Sequence, residues 1–284
     1  MKSINLFLLF FAINVCAQNT LKYDKTYIKC VDKWMAFPIG KDSTYTFGFI
    51  YIDNSAGLTF NYGGDFKINK NGDFVNIENK LAKESTSLKM RLDVSRNSVA
   101  EIPEEKFKEL KVEKFPDWLE IYKRDDNDIN SLFNKGFIYN AWNECETALI
   151  YLEKAEKIDS NYEGLLTEMA FSYNHLEQFD KAEVVLNKAV KKDPKDCYTL
   201  KELAYTYKNS EKIDKNIEVY NLMTKICKQK NFVQETAFNL AYYYYYVKND
   251  KKNFYKWKEE AKKWSESKNQ YDNYLDQMTL EMEK

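Results

Sequence analysis

The sequence predicts two kinds of structure in series: an α+β N-terminal domain, built as a small antiparallel sheet with two short helices, then an all-α solenoid of helical hairpins. Three observations carry this. Downstream of Asp128, small and aromatic residues recur at an interval of 34, as in Gly136, Ala170 and Ala204, or Tyr139, Tyr173 and Tyr207. Between Tyr23 and Lys123 apolar residues instead alternate with a period near two, the signature of strands. Ahead of both stands an apolar leader, Met1 to Ala17. The 284 residues suit two modest domains.

The leader reads as a secretory signal peptide over residues 1–17. Lys2 supplies the positive start, Ile4 to Val15 is mostly apolar, and Val15-Cys16-Ala17 ends in a small residue before Gln18. The run is too short for a comfortable membrane span, and no later stretch approaches the required length. An exported protein, periplasmic or extracellular, is therefore expected. Lipid anchoring at Cys16 is the second reading, because Val15 stands where such signals normally carry Gly, Ala or Ser.

The α+β domain is expected over residues 18–125. Tyr45 to Ile52 reads as a strand apolar on both faces, and Leu58 to Tyr62 as its neighbour after the Asn54-Ser55-Ala56-Gly57 turn. Phe66–Ile68 and Phe74–Ile77 flank Asn71-Gly72, a hairpin signal because both residues tolerate positive φ. Leu88–Val94 and Val99–Ile102 suggest a further pair joined at Arg96-Asn97-Ser98. Pro103 and Pro116 open short helices reaching Leu110 and Tyr122. Asp125, Asp126, Asn127 and Asp128 form a polar joint; with no Gly at the bend and no Glu at the twelfth position they suit helix capping rather than calcium.

Residues 126–284 carry the repeat. Gly136, Tyr139, Ala148, Leu152 and Ala155 are copied 34 residues later as Ala170, Tyr173, Ala182, Leu186 and Ala189, and Pro194 closes the unit. A third copy keeps Leu203, Ala204 and Tyr207 but has Asn216, Tyr220 and Met223 at the later positions. A fourth keeps Leu240, Ala241 and Tyr244, displaced by three residues. Tyr271 to Met282 is the expected capping helix. Over about residues 129–268 the chain thus resembles the tetratricopeptide (TPR) family, whose stacked hairpins hold other molecules and perform no chemistry. The resemblance implies close helix contacts, with Gly136 facing Ala148 and Ala170 facing Ala182.

It also implies a concave groove lined by the first helix of each hairpin. Its ninth positions are Phe137, Phe171, Tyr205 and Tyr242, all aromatic, joined by Phe133, Tyr198, Phe238 and Tyr245, with Asn140, Asn174, Asn209 and His175 interleaved. Rings and amides suit an extended peptide or a sugar chain. The peptide-carboxylate clamp of some TPR proteins is disfavoured, because Phe133 and Phe137, or Thr167 and Phe171, occupy its lysine and asparagine places. Two readings stay open: the stripe meets an external partner, or it is packed within the molecule.

Four cysteines remain after the leader. In the repeat register Cys197 begins one helix of the third hairpin and Cys227 ends the other, so the pair is either a disulfide or two separate thiols, and four cysteines allow three full pairings. No Cys or Cys/His pair has zinc spacing, so neither metal nor cofactor is expected. The single histidine, His175, has no catalytic constellation around it, and GxSxG, HExxH, GxGxxG and phosphate-loop motifs are missing. Removing residues 1–17 takes only Lys2 from 43 cations against 44 anions, leaving a formal charge of −2. That balance, with only Arg91, Arg96 and Arg124 as arginines, argues against a nucleic-acid partner. The expected function is that of a non-catalytic interaction scaffold binding a peptide or protein. The alternative is a glycan-binding or glycan-processing envelope protein using the aromatic groove.

Overall fold

The computed structural model describes residues 21–77, 88–94, 98–123 and 127–283. The expected leader, the Arg96-Asn97 link, Asp125 and Asp126 lie outside the described residues. Contacts divide the chain into two units, Met1–Arg124 and Asp125–Lys284.

The first unit holds an antiparallel sheet of β1 (Tyr23–Lys25), β2 (Lys33–Ala36), β3 (Tyr45–Asp53), β4 (Gly57–Ile68), β5 (Phe74–Ile77), β6 (Lys89–Arg91) and β7 (Val99–Glu101). Their order is β1-β7-β2-β3-β4-β5, with β6 also on β4. Two strand expectations need correction. The segments around Leu58 and Phe66 are one strand, because Gly63 and Gly64 form a bulge opposite Phe47 and Gly48 rather than a turn. Gly64 takes φ 147°, which a side chain would strain. This bend lets one strand serve β6 with its first half and β5 with its second.

Leu88–Val94 and Val99–Ile102 do not pair with each other. Val99 and Ala100 are buried, and β7 lies between β1 and β2. The Lys-Met-Arg of β6 is exposed, as an edge requires. Strands β1 and β2 carry too few residues for periodicity to reveal them.

Helices α1 (Phe107–Leu110, led by a 3₁₀ turn at Glu104–Lys106) and α2 (Leu119–Lys123) supply Leu110 and Leu119 to a core of Trp34, Phe47, Phe49, Tyr51 and Phe66. Trp118 packs edge-on to both Phe49 and Tyr51.

The second unit is a helical solenoid. Its hairpins are α3 (Ile129–Ala141) with α4 (Cys145–Ile158), α5 (Leu165–His175) with α6 (Phe179–Lys192), α7 (Cys197–Asn209) with α8 (Ile213–Ile226), and α9 (Lys230–Tyr246) with α10 (Lys251–Lys263). Helix α11 (Gln270–Met282) follows, with a capping box between Asn269 and Asp272. Asp128 caps α3 by accepting from the Ser131 amide at 2.9 Å.

Each of the first three hairpins turns in the same way. Asn143, Glu177 and Glu211 take left-handed backbone (φ 58°, 56° and 56°), and the amide of the next residue donates to the carbonyl of Tyr139, Tyr173 or Tyr207. The fourth turn is longer, with Asn249 as its left-handed residue. The repeated small residues Ala148, Ala155, Ala170, Ala182 and Ala204 are buried, as are Leu152 and Leu186. The closest side chain to Gly136 is Leu152 rather than Ala148: a Cβ there would lie 2.5 Å from its Cγ. Pro194 lies in the linker between α6 and α7, ahead of the capping Asp196.

Candidate partner groove

The first helices of successive hairpins touch: α3 meets α5, α5 meets α7, and α7 meets α9, which meets α11. Their aromatic positions therefore fall on neighbouring elements. Phe137 is 51% exposed and Tyr242 38% exposed, while Phe171 and Tyr205 are half-buried. Phe133 lies 5.1 Å from the Tyr162 ring and closes over Gly164. Gly164 takes φ 78° just before α5, and a Cβ there would stand 3.3 Å from the Phe133 ring, so both backbone and packing call for glycine.

At the far end Phe238 is the hub. Its ring is 6.3 Å from Tyr242, 4.9 Å from Tyr271 and 6.3 Å from the exposed Tyr274. The Tyr246 ring is tilted against that of Tyr242, with centroids 4.5 Å apart. Tyr245 is turned toward neighbouring helices, with its hydroxyl on Glu281 at 2.7 Å and its ring 5.5 Å from Phe254. His175 is exposed, its ring 4.2 Å from Phe171.

The interleaved amides need correction. Asn140 and Asn174 are 2% and 1% exposed and serve the joints between hairpins. Asn140 Nδ2 donates to the carbonyl and to Oε2 of Glu168, both at 2.9 Å, and Ser172 Oγ donates back to Asn140 Oδ1 at 2.6 Å. Thirty-four residues on, Asn174 Nδ2 donates to the Glu202 carbonyl and Oε2 at 3.3 and 3.1 Å, and Thr206 donates to Asn174 Oδ1 at 2.8 Å. Both donors and one lone pair of each amide are spent within the joint, and burial keeps the groups from a ligand in the groove. Asn209 is half-buried and donates to the Tyr205 carbonyl one turn back on its own helix at 3.0 Å. The sequence signal for the clamp was the joint recurrence of Asn140/Asn174 with Glu168/Glu202, a polar pattern on the same interval as the apolar one.

Burial raises the pKa of Glu168 and of Glu235 above the ordinary carboxylate range. Lys201 offsets this partly: its ammonium lies 3.0 Å from Glu202 and 3.8 Å from Glu235, over the rings of Tyr198 and Phe232. Burial also raises Tyr198 strongly, and it pushes Tyr271 up to about 12. Lys208 is different. Its ammonium lies 5.2 Å from the Tyr205 centroid and 5.5 Å from that of Tyr242, and burial lowers its pKa.

Cys197 and Cys227 form a disulfide with Cα atoms 5.7 Å apart, joining the start of α7 to the end of α8. Beside it is a cavity of about 760 Å³ lined by Thr167, Lys192, Asp196 and Gln229 among others. Cys30 and Cys145 are buried free thiols, each pushed up to about 11 by burial. The first unit has a separate cleft of about 680 Å³, with Lys25 and Lys33 both paired to Glu101 on its wall. Among the described residues no group of three or more His, Cys, Asp or Glu is placed to hold a metal ion. Nor is any described helix long and apolar enough to cross a membrane.

Residues 138–239 match the family model of the coatomer epsilon subunit, a helical, TPR-like family. The match runs from α3 into α9 and covers about a third of the chain. No curated protein matches the chain significantly.

Proposed function

We propose that the protein is an exported, non-catalytic scaffold whose solenoid holds an extended segment of a protein partner along the aromatic stripe. The observation that carries this is the row of partly exposed rings on touching first helices: Phe137, Phe171, Tyr205 and Tyr242, continued by Phe238 and Tyr274. Rigid rings offer large contact area at small entropic cost, and a row of them crossing several helices suits a chain better than a compact small molecule. Similarity to a family named as a subunit of an assembly supports a protein partner. The leader supports export, as does a structural disulfide, a bond that forms and persists mainly in oxidising compartments.

The test is cross-linked co-purification of envelope proteins with the wild type and with a Phe171→Ala/Tyr205→Ala variant. Loss of a defined partner in the variant is expected; an identical set of partners removes the groove from the account. A glycan array and a reducing-sugar release assay decide the saccharide reading, with signal abolished by the same variant as the result in its favour. The mass of the exported chain reports whether it begins at Gln18 or carries lipid at Cys16.

A further inference from the structure

Lys208 is a charge without a counterpart. Lys201, also on α7, is half-buried among rings yet has two carboxylates in reach. The Lys208 ammonium has two ring faces and, among the described residues, no carboxylate or hydrogen-bond acceptor. An ammonium carries three donors, and ring faces compensate only part of its lost hydration. The lowered pKa, with burial as its cause, agrees with that geometry.

The repeat explains how the lysine comes to be there. Lys208 stands 34 residues after Asn174, in the place of the clamp asparagine. The facing register on α9, displaced by three, holds Asn239 where the earlier joints have Glu168 and Glu202. No carboxylate therefore draws the side chain into the joint, and it lies over Tyr205 and Tyr242 instead.

Its place along the stripe fixes the kind of partner group. Phe171 and Phe137 belong to the earlier hairpins, while Phe238, Tyr271 and Tyr274 continue the aromatic surface on the later side. Adjacent helices stand about 8–10 Å apart and an extended chain advances about 3.3 Å per residue, so a bound segment crosses one helix in about three residues. We propose that Lys208 anchors an internal Asp or Glu of the bound segment, with large apolar residues within about three positions on both sides. A chain-terminal carboxylate at this point would leave half of the stripe unfilled. A phosphate dianion would call for more than one uncompensated cation. The inference rests on the groove reading above and adds the chemistry of its occupant.

The experiment is selection of a random dodecapeptide display library on the oxidised full-length protein, then affinity measurement on synthetic copies of the selected peptides. Peptides sharing one acidic residue between apolar ones are expected, with about a tenfold loss when that residue becomes Gln or Asn. Lys208→Met should weaken the acidic peptide to the level of its amide analogue and bind the two equally. Its melting temperature should stay level or rise, which separates lost recognition from lost folding. Selected peptides without a shared acid, or a Lys208→Met variant that still separates acid from amide, overturn the inference. If Tyr205→Ala/Tyr242→Ala weakens binding in that case, the groove reading survives alone. If no peptide is selected, or that double variant binds normally, the groove reading fails and the anchor with it.

Discussion

The two front joints of the solenoid and its rear joint solve one packing problem by different means. Between α3 and α5, and again between α5 and α7, a buried asparagine donates twice to a glutamate on the next helix and accepts from a Ser or Thr one turn further on. Between α7 and α9 the displaced repeat register aligns Lys208 with Asn239, the Lys208 ammonium lies over Tyr205 and Tyr242, and the clamp is not made. The hairpin ahead of that joint is also atypical. Asn216 replaces the small residue and donates to the Ala204 carbonyl at 2.7 Å, and Tyr220 replaces the leucine, donating to Glu260 at 2.7 Å and accepting from Trp264 at 3.1 Å. A disulfide closes that hairpin. The same asparagine–glutamate clamp recurs only where the repeat is strict. Where it slips, a covalent staple and aromatic packing hold the helices and a polar side chain is left over at the groove.

The contrast breaks most visibly at the staple. Cys197→Ala/Cys227→Ala removes a bridge spanning 30 residues, which in the loop-entropy account costs about 3–4 kcal/mol. Hydrogen exchange should speed up in α7 and α8 while α3 to α5 stay protected; uniform loss across the solenoid would refute separate rear stabilisation. Next come the clamps. Asn140→Ala or Asn174→Ala leaves Glu168 or Glu202 with an unmet buried oxygen and should cost about 1–3 kcal/mol by chemical denaturation. Equal losses at both positions fit copies of one device, whereas a neutral result at either removes it from the joint.

A smaller effect tests the turns the front hairpins share. Glu177 is a glutamate in left-handed backbone, so Glu177→Asn should stabilise by about 0.5–1 kcal/mol. The same change at Asn143 is already present and offers no gain. Last, the clamp has a pH signature of known sign. Burial raises Glu168 in the folded state above its ordinary 4.5, so the native protein holds that proton more tightly than the unfolded chain does. Its contribution is most favourable below pH 4.5 and is lost as pH rises through the raised value. Glu168→Gln keeps an acceptor for Asn140 and should gain stability relative to wild type across that rise. A difference that does not change with pH would count against the buried charge.

Much of this was legible in the residues. Gly136, Ala170 and Ala204 announce tightly packed helices because no larger side chain repeats there, and the hairpin register brings Cys197 near Cys227 in space. The strand Tyr45 to Ile52 shows its double burial in its own composition. Other features were hidden for specific reasons. Gly63-Gly64 interrupts the apolar pattern between Tyr62 and Phe66 and shows itself as a bulge only once β3 is alongside. Strand β7 was legible at Val99–Ile102, but its pairing was not, because its partners β1 and β2 are too short to show a period and lie far away in sequence. Asn140 and Asn174 carry the same letters whether they face a ligand or a neighbouring glutamate, and only the placement of α5 and α7 decides between them.

By itself the sequence determined the helical repeat, its two strict and two degenerate copies, and the change to strands upstream of Asp128, because periodicity and small-residue spacing are local properties of the chain. Only the tertiary structure decided strand order, the use of the buried amides and the isolation of the Lys208 ammonium, because each depends on which groups far apart in sequence come within a few ångströms.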